Sequence, residues 1–141
     1  MPSQSYSLHI GLNAVDPIHY QGWDGQLLCC ENDANFYYEL AKKAGFTTSN
    51  VLLTQAANSE SLVHHLSDAA KVLKEGDLFF LTYSGHGGSI LDLNFDEDDL
   101  QDETWCLYDR QFLDDELFAQ LALFKTGVKV FVISDSCHSG T

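Results

Sequence analysis

Two long apolar runs most constrain how this chain can fold. They span residues 77–83 and 128–134, and leucine, β-branched and aromatic side chains dominate both. Apolar runs of this length between polar or glycine-containing turns are typical of strands buried on both faces, as in a parallel sheet. The sequence therefore predicts two parallel strands at the centre of the fold.

A potentially reactive side chain follows each run. His86 lies in the string Tyr-Ser-Gly-His-Gly-Gly (83–88), and Cys137 lies in the string Asp-Ser-Cys-His-Ser-Gly (135–140). The carboxyl ends of parallel strands form the ligand crevice of an open α/β sheet. We therefore expect His86 and Cys137 to meet in one cleft.

This pair suits nucleophilic catalysis. A thiol with an unperturbed pKa of about 8.5 is a weak nucleophile until an imidazole takes its proton. Cys137 would attack a carbonyl carbon, and His86 would shuttle the proton. The glycines beside His86 leave the backbone amides accessible. We therefore expect the amides of Gly87 and Cys137 to form an oxyanion hole. The alternative is an inert buried thiol and an ordinary loop histidine, which is the commoner role of each residue alone.

About fifty residues separate His86 from Cys137, which is a spacing already known from caspases. With this spacing, the two strings resemble the large catalytic subunit of a metacaspase of the bacterial or orthocaspase branch. The animal-caspase string Gln-Ala-Cys-Arg-Gly is absent. Residues 28–34 are similar to a third string of the family, with Cys29 in place of its glycine. The resemblance implies a cysteine endopeptidase with a caspase-like three-layer α/β sandwich, a mostly parallel sheet and helices on both faces.

Charge predicts the substrate preference. The chain has one arginine, Arg110, so it has little with which to build a pocket for aspartate. The resemblance puts Asp33 and Asp135 at the pocket floor and Ser84 among the substrate-binding residues. Paired carboxylates would favour Arg or Lys before the scissile bond and repel an acidic side chain. Asp33 could instead be a helix N-terminal carboxylate that complements the helix dipole.

A dense acidic stretch between His86 and Cys137 is a candidate calcium site. Residues 91–103 and 113–117 are rich in the oxygen ligands that calcium prefers, although their spacing matches no EF-hand. Metacaspases commonly bind calcium, and the resemblance matches Asp102, Asp114 and Asp115 to three ligands. A solvated acidic loop, with Asp114 as the cap of a helix beginning near Asp115, is the alternative. We expect no organic cofactor.

The remaining pattern predicts a single domain over residues 1–141. We expect further strands at 6–12, 50–53 and 104–108, helices at 31–44 and 59–74, and a third helix from about Asp115. Gly45 is in the position that ends a helix. Such alternation of strands and helices is typical of an α/β sandwich.

The caspase architecture normally continues after its cysteine with small-subunit strands, which this sequence lacks. We therefore expect a small-subunit segment, a second chain or a homo-oligomer to complete the sheet. A net charge of −14 argues against nucleic-acid partners and favours cationic peptides. We expect a cytoplasmic protein with reduced thiols, because the chain has no apolar signal segment and no membrane-spanning stretch.

Two other functions remain open. The first is another His-Cys peptidase of the CHAT or clostripain type, against which the Asn32-Asp33-Ala34 segment argues. The second is an inactive or partner-dependent module that keeps the caspase fold. The presence of both His86 and Cys137 argues against a degenerate enzyme.

Overall fold

The structure is a computed structural model that describes residues 3–87 and 104–137, with Ser136 and Cys137 described by their backbone alone. The strands of this part are β1 (Ser5–Gly11), β2 (Thr48–Leu53), β3 (Leu78–His86), β4 (Thr104–Cys106), β5 (Gln111–Leu113) and β6 (Lys129–Cys137). Its helices are α1 (Cys30–Lys43), α2 (Ser59–Val72) and α3 (Asp114–Leu121).

The described strands form one parallel sheet and one small antiparallel sheet. The parallel sheet has the order β2-β1-β3-β6, so that β3 lies between β1 and β6. The antiparallel sheet pairs β4 with β5. The predicted parallel sheet with helices on both faces is confirmed, and the carboxyl ends of all four parallel strands meet at one edge.

The main core lies on the sheet face that packs against α2. Alternate residues of β1 and β3 project to this face, among them Leu8, Ile10 and Leu81, and all three are fully buried. Helix α2 contributes Leu62 and Leu66, which are also fully buried. Burial of each such leucine stabilises the fold by about 1.5–3 kcal/mol.

The opposite face, under α1, carries a buried polar row. His9 of β1 lies beside Thr82 of β3, and its Nδ1 is 2.9 Å from the Thr82 hydroxyl oxygen. The rings of Tyr37, Tyr38 and Phe80 surround the His9 imidazole. Among the described residues its Nε2 has no hydrogen-bond partner. Burial lowers the pKa of His9 to about 4, so the imidazole is neutral in the folded protein at pH 7.

Gly11 sets the distance between β1 and α1. A Cβ atom at this position would lie 2.7 Å from the Ala34 Cβ and even closer to the carbonyl oxygen of Cys30. Only a residue without a side chain therefore lets the first turns of α1 rest directly on the end of β1. This close approach carries Asp33 towards the end of β3.

Hydrogen bonds from the loop after β1 hold the start of α1. The side-chain oxygen of Asn13 accepts from the Glu31 amide at 3.0 Å, which satisfies a free donor of the first turn. The backbone amide of Asn13 donates to the Thr54 hydroxyl at 3.0 Å, and that hydroxyl donates to the Glu31 carboxylate. The helix ends as predicted, before Gly45 with φ +93°.

Strands β3 and β6 run further than the apolar runs predict. They end at His86 and Cys137, three residues beyond residues 83 and 134, because the backbone pairing continues through the polar motifs. The strand predicted at 104–108 is β4, which is shorter and ends at Cys106. Strand β5, which was not predicted, pairs with it. No helix in residues 3–87 or 104–137 is both long and apolar enough to cross a membrane.

Candidate active site

His86 and Cys137 are directly paired across two neighbouring parallel strands. The register of β3 and β6 joins Ser84 to Asp135, Gly85 to Ser136 and His86 to Cys137. Because successive residues of a strand alternate between faces, positions 84, 86, 135 and 137 all belong to the face that α1 covers. The two predicted catalytic positions therefore lie side by side at the carboxyl end of the sheet.

The imidazole of His86 is held by the loop between β1 and α1. Its Nε2 lies 3.0 Å from the carbonyl oxygen of Gly25, and its ring centre lies 4.7 Å from that of Trp23. A carbonyl only accepts, so Nε2 carries the proton of this bond. In the neutral ring this leaves Nδ1 as the basic nitrogen.

Gly25 has no room for a side chain. Its φ is +54°, and a Cβ atom there would lie 2.8 Å from the Trp23 ring and 3.0 Å from Cδ2 of His86. The bare backbone therefore lets both rings approach the carbonyl that accepts the His86 proton.

Tyr83 and Trp105 support the end of β3 on the sheet face opposite His86. The Tyr83 hydroxyl donates to the His86 carbonyl at 2.7 Å, and it occupies the space that a Cβ atom of Gly85 would fill. The Trp105 ring stacks on Tyr83 with centres 4.5 Å apart. Its Nε1 donates to the Ser134 hydroxyl at 2.9 Å, which ties β4 to β6.

The three predicted substrate-binding residues also come together. The Ser84 hydroxyl donates to the carboxylate of Asp33 at 3.1 Å, and Ser84 is paired in register with Asp135. Asp33 is half-buried and Asp135 is exposed. Asp33 also lies in the first turn of α1, so the pocket role and the helix N-terminal role are compatible.

Arg110, the only arginine of the sequence, is engaged elsewhere. Its guanidinium donates to Glu116 at 2.9 Å and lies over the Phe112 ring at 5.4 Å. This hydrogen bond lowers the pKa of Glu116 and raises that of Arg110. The arginine is thus committed to the contact between β5 and α3.

The candidate calcium ligands are described only in part. Asp114 and Asp115 lie in the first turn of α3, and Asp102 lies outside the described residues. Where the structure describes the chain, no group of three or more His, Cys, Asp or Glu residues could hold a metal ion. Leu113, not Asp114, occupies the N-cap position of α3, and its amide donates to Glu116 at 2.9 Å. The described residues alone do not form a complete cation site.

Several supporting residues escaped the sequence prediction. Trp23, Gly25 and Trp105 contact the site from loops and strands far away in the sequence, and Asn13 anchors α1. For Trp23 and Gly25 the signal was a tryptophan within a glycine-rich loop, which indicates a structured loop without indicating its contacts.

The comparisons with known proteins identify the family of the chain. Residues 8–141 match the profile of the family described as metacaspase, peptidase C14 domain. The chain belongs to this family of caspase-like cysteine peptidases. Metacaspase-1 of Saccharomyces cerevisiae is 33% identical over 140 residues, and the match covers 88% of this chain and 32% of the yeast protein. Metacaspase-1 of Pyricularia oryzae is 36% identical over 142 residues, with 88% and 35% covered.

A solved structure shows the same fold. Protein GSU0716 from Geobacter sulfurreducens is 50% identical, with a TM-score of 0.86 over 98% of this chain and 52% of that one. The chain thus spans about a third of the length of the curated relatives and about half of the solved chain. The caspase-like α/β fold of the large-subunit region is established by this similarity.

Proposed function

We propose that this chain is the catalytic part of a cysteine endopeptidase that cleaves after Arg or Lys, with Cys137 as nucleophile and His86 as general base and acid. The observation that carries the proposal is the register pairing of His86 with Cys137. Two residues before them, Ser84 and Asp135 form the next such pair, beside Asp33. The nucleophile and the specificity pocket would therefore share one sheet edge.

Acylation would begin with proton transfer from the Cys137 thiol to Nδ1 of His86. The hydrogen bond from Nε2 to the Gly25 carbonyl supports this assignment, because it leaves Nδ1 able to accept. The thiolate attacks the substrate carbonyl carbon, and the negative charge moves to the carbonyl oxygen. The amides of Gly87 and Cys137 are the proposed donors to that oxyanion.

The thiol proton held by His86 then serves the leaving group. The imidazolium of His86 gives it to the leaving amine as the carbon–nitrogen bond breaks, which leaves a thioester on Cys137. A water molecule, deprotonated by His86, then attacks the thioester, the carbon–sulfur bond breaks, and the acid product leaves. His86 returns the proton from water to the Cys137 thiolate, so one imidazole acts twice as base and twice as acid.

The specificity proposal depends on unbalanced negative charge. Asp33 and Asp135 lie on two elements that meet at Ser84, and Arg110 is engaged with Glu116 elsewhere. A guanidinium or ammonium group in this pocket would gain charge-assisted hydrogen bonds, and a substrate aspartate would be repelled.

Cleavage of matched fluorogenic peptides tests the proposal. We expect turnover of peptides that end in Arg or Lys, and little turnover of the same peptides with Asp or the uncharged isostere citrulline. Cys137→Ala and His86→Gln should each abolish turnover of the Arg and Lys peptides. Equal turnover of Arg and citrulline peptides would refute the acidic pocket, and wild-type rates in Cys137→Ala would refute the nucleophile.

Calcium is proposed as the cofactor, with Asp102, Asp114 and Asp115 as ligands. The support from the described residues is limited to two neighbouring carboxylates at the start of α3. Calcium titration by calorimetry should show binding that Asp114→Asn weakens, with Asp68→Asn on α2 as the control. Equal binding by both variants would contradict the assignment.

A further strand is proposed as the partner of β6, from a small-subunit segment of the same protein or from a second chain. Within the described part of the chain, β6 lies at the edge of the parallel sheet, and Phe131 on it is 55% exposed. A groove of about 210 Å³ runs beside it, with Leu40, Phe46 and Phe80 among its apolar walls. Open strand edges next to apolar surface favour strand addition.

A further inference from the structure

We propose that Trp23 is a positioning residue for His86, which holds the imidazole so that Nε2 stays bound to the Gly25 carbonyl and Nδ1 stays the basic nitrogen. The consequence for catalysis rests on the proposed function, whereas the effect on the imidazole itself does not.

The contact between the two rings is close and specific. Their centres are 4.7 Å apart and their planes are inclined by 58°, which is within the range that aromatic pairs prefer. Gly25 completes the arrangement, because its missing Cβ atom would contact both rings. One side chain and one carbonyl from the same loop therefore hold the imidazole.

The indole is itself supported from behind. Tyr20 packs edge-on against Trp23 with ring centres 6.0 Å apart, and Tyr20 is 3% exposed. The Tyr20 hydroxyl donates to the Leu107 carbonyl at 2.7 Å. The ring that supports the indole is therefore anchored to Leu107, the fully buried residue that follows β4.

The loop backbone has its own hydrogen bonds. The Val15 amide donates to the Asp24 carbonyl at 2.8 Å, and the Leu27 amide donates to the Asn13 carbonyl at 2.7 Å. These bonds close the loop on both sides of Gly25 without the indole. The side chain of Trp23, which is half-buried, is therefore available to contact His86.

The hydrogen bond between Nε2 and the Gly25 carbonyl does not by itself fix the orientation of the imidazole ring. The terminal torsion of histidine is broad and two-fold, so the ring can turn over and exchange its two nitrogens. A ring packed against the imidazole opposes that rotation. The same indole face would attract the imidazolium that forms when His86 takes the thiol proton.

Nitrogen-15 NMR of the His86 imidazole tests the positioning directly. The full chain with Cys137→Ala is used at a pH where histidine is neutral, and His86→Gln assigns the signals. We expect one tautomer, with the proton on Nε2. Trp23→Ala should give averaged nitrogen shifts, and Trp23→Phe should largely restore the single tautomer.

Tyr6→Phe is the matched control, because it removes a tyrosine hydroxyl that contacts His65 at 3.3 Å, at the opposite end of the sheet from His86. It should leave the tautomer unchanged. If Trp23→Ala does not fold, Trp23→Leu is used in its place. Leucine keeps apolar volume at this position without an aromatic face. A single Nε2 tautomer in folded Trp23→Ala or Trp23→Leu would overturn the proposal.

Kinetics give a second readout. Trp23→Ala should lower kcat by about 10- to 100-fold with KM within about twofold, because a misplaced catalytic group affects the chemical step. Trp23→Phe should recover most of the rate. Loss confined to KM would contradict a positioning role. A wild-type protein that cuts no peptide even with the proposed partner strand present would refute the proposed function, and the NMR result would still decide the role of Trp23.

Discussion

The hydroxyl of Ser84 donates a hydrogen bond to the carboxylate of Asp33 at 3.1 Å, and this contact joins β3 to the first turn of α1. Ser84 is two residues before His86 on the same sheet face, so one short stretch of β3 carries both the proposed base and a wall of the proposed pocket.

Asp33→Asn should weaken recognition of basic substrates. Loss of one charge-assisted hydrogen bond, worth about 1.5–3 kcal/mol, predicts a fall in kcat/KM of about 10- to 100-fold for an arginine peptide. The rate for a citrulline peptide should change little. Asp68→Asn, which removes an exposed carboxylate on α2, controls for net charge. An equal loss for both peptides would mean that Asp33 supports the fold and not the charge of the pocket.

Gly11→Ala should damage both stability and activity. The added Cβ atom would meet the Cys30 carbonyl and Ala34, so α1 must shift, at a cost of about 1–3 kcal/mol. Urea unfolding measures that cost, and peptide turnover per folded molecule measures the displacement of Asp33. Gly45→Ala is the control, because it strains a positive φ far from the site and should leave turnover intact. Full activity of folded Gly11→Ala would contradict the role of the close approach.

Stability should fall as the pH drops from about 6.5 to about 4. In this range the unfolded chain protonates His9, and the folded chain, in which the pKa of His9 is about 4, does not. The shift corresponds to a loss on the order of 3 kcal/mol. His9→Gln, which cannot take up a proton, should show a shallower loss.

Urea unfolding at several pH values compares the two proteins. Burial also lowers the pKa of His65, so the wild-type curve contains that contribution too, and the difference between the curves isolates His9. Parallel curves for wild type and His9→Gln would show that His9 is not protonated on unfolding in this range.

Phe131→Lys should disrupt association at the β6 edge. A charged side chain on an edge strand opposes the addition of another strand, and Phe131 also lines the apolar groove. Light scattering of the purified chain, alone and with the candidate small-subunit segment, should show weaker assembly. Phe118→Lys on α3, where the phenylalanine is 61% exposed, is the control. Assembly weakened equally by both variants would argue for non-specific contacts.

The central strands could be predicted from sequence because their burial on both faces leaves an unbroken apolar pattern. The end of α1 at Gly45 could also be predicted, since a positive φ favours glycine. The continuation of β3 and β6 through Ser84 and Asp135 could not, because polar residues at a sheet end give no strand pattern.

The contacts of the site were the least predictable part. Trp23 and His86 are far apart in sequence, and their approach depends on a loop path that no local pattern encodes. His9 was hidden for a different reason. It lies between Leu8 and Ile10 in a strand that is predicted from its apolar residues, and its environment follows from three aromatic rings of other elements.

Active-site labelling tests the central claim most directly. The chain is incubated with a peptide acyloxymethyl ketone that ends in arginine, and the modified residue is mapped by mass spectrometry. The account predicts one adduct, on Cys137, that is lost in His86→Gln and suppressed when citrulline replaces the arginine. Modification of Cys29 or of several cysteines, or equal labelling by the citrulline reagent, would contradict it.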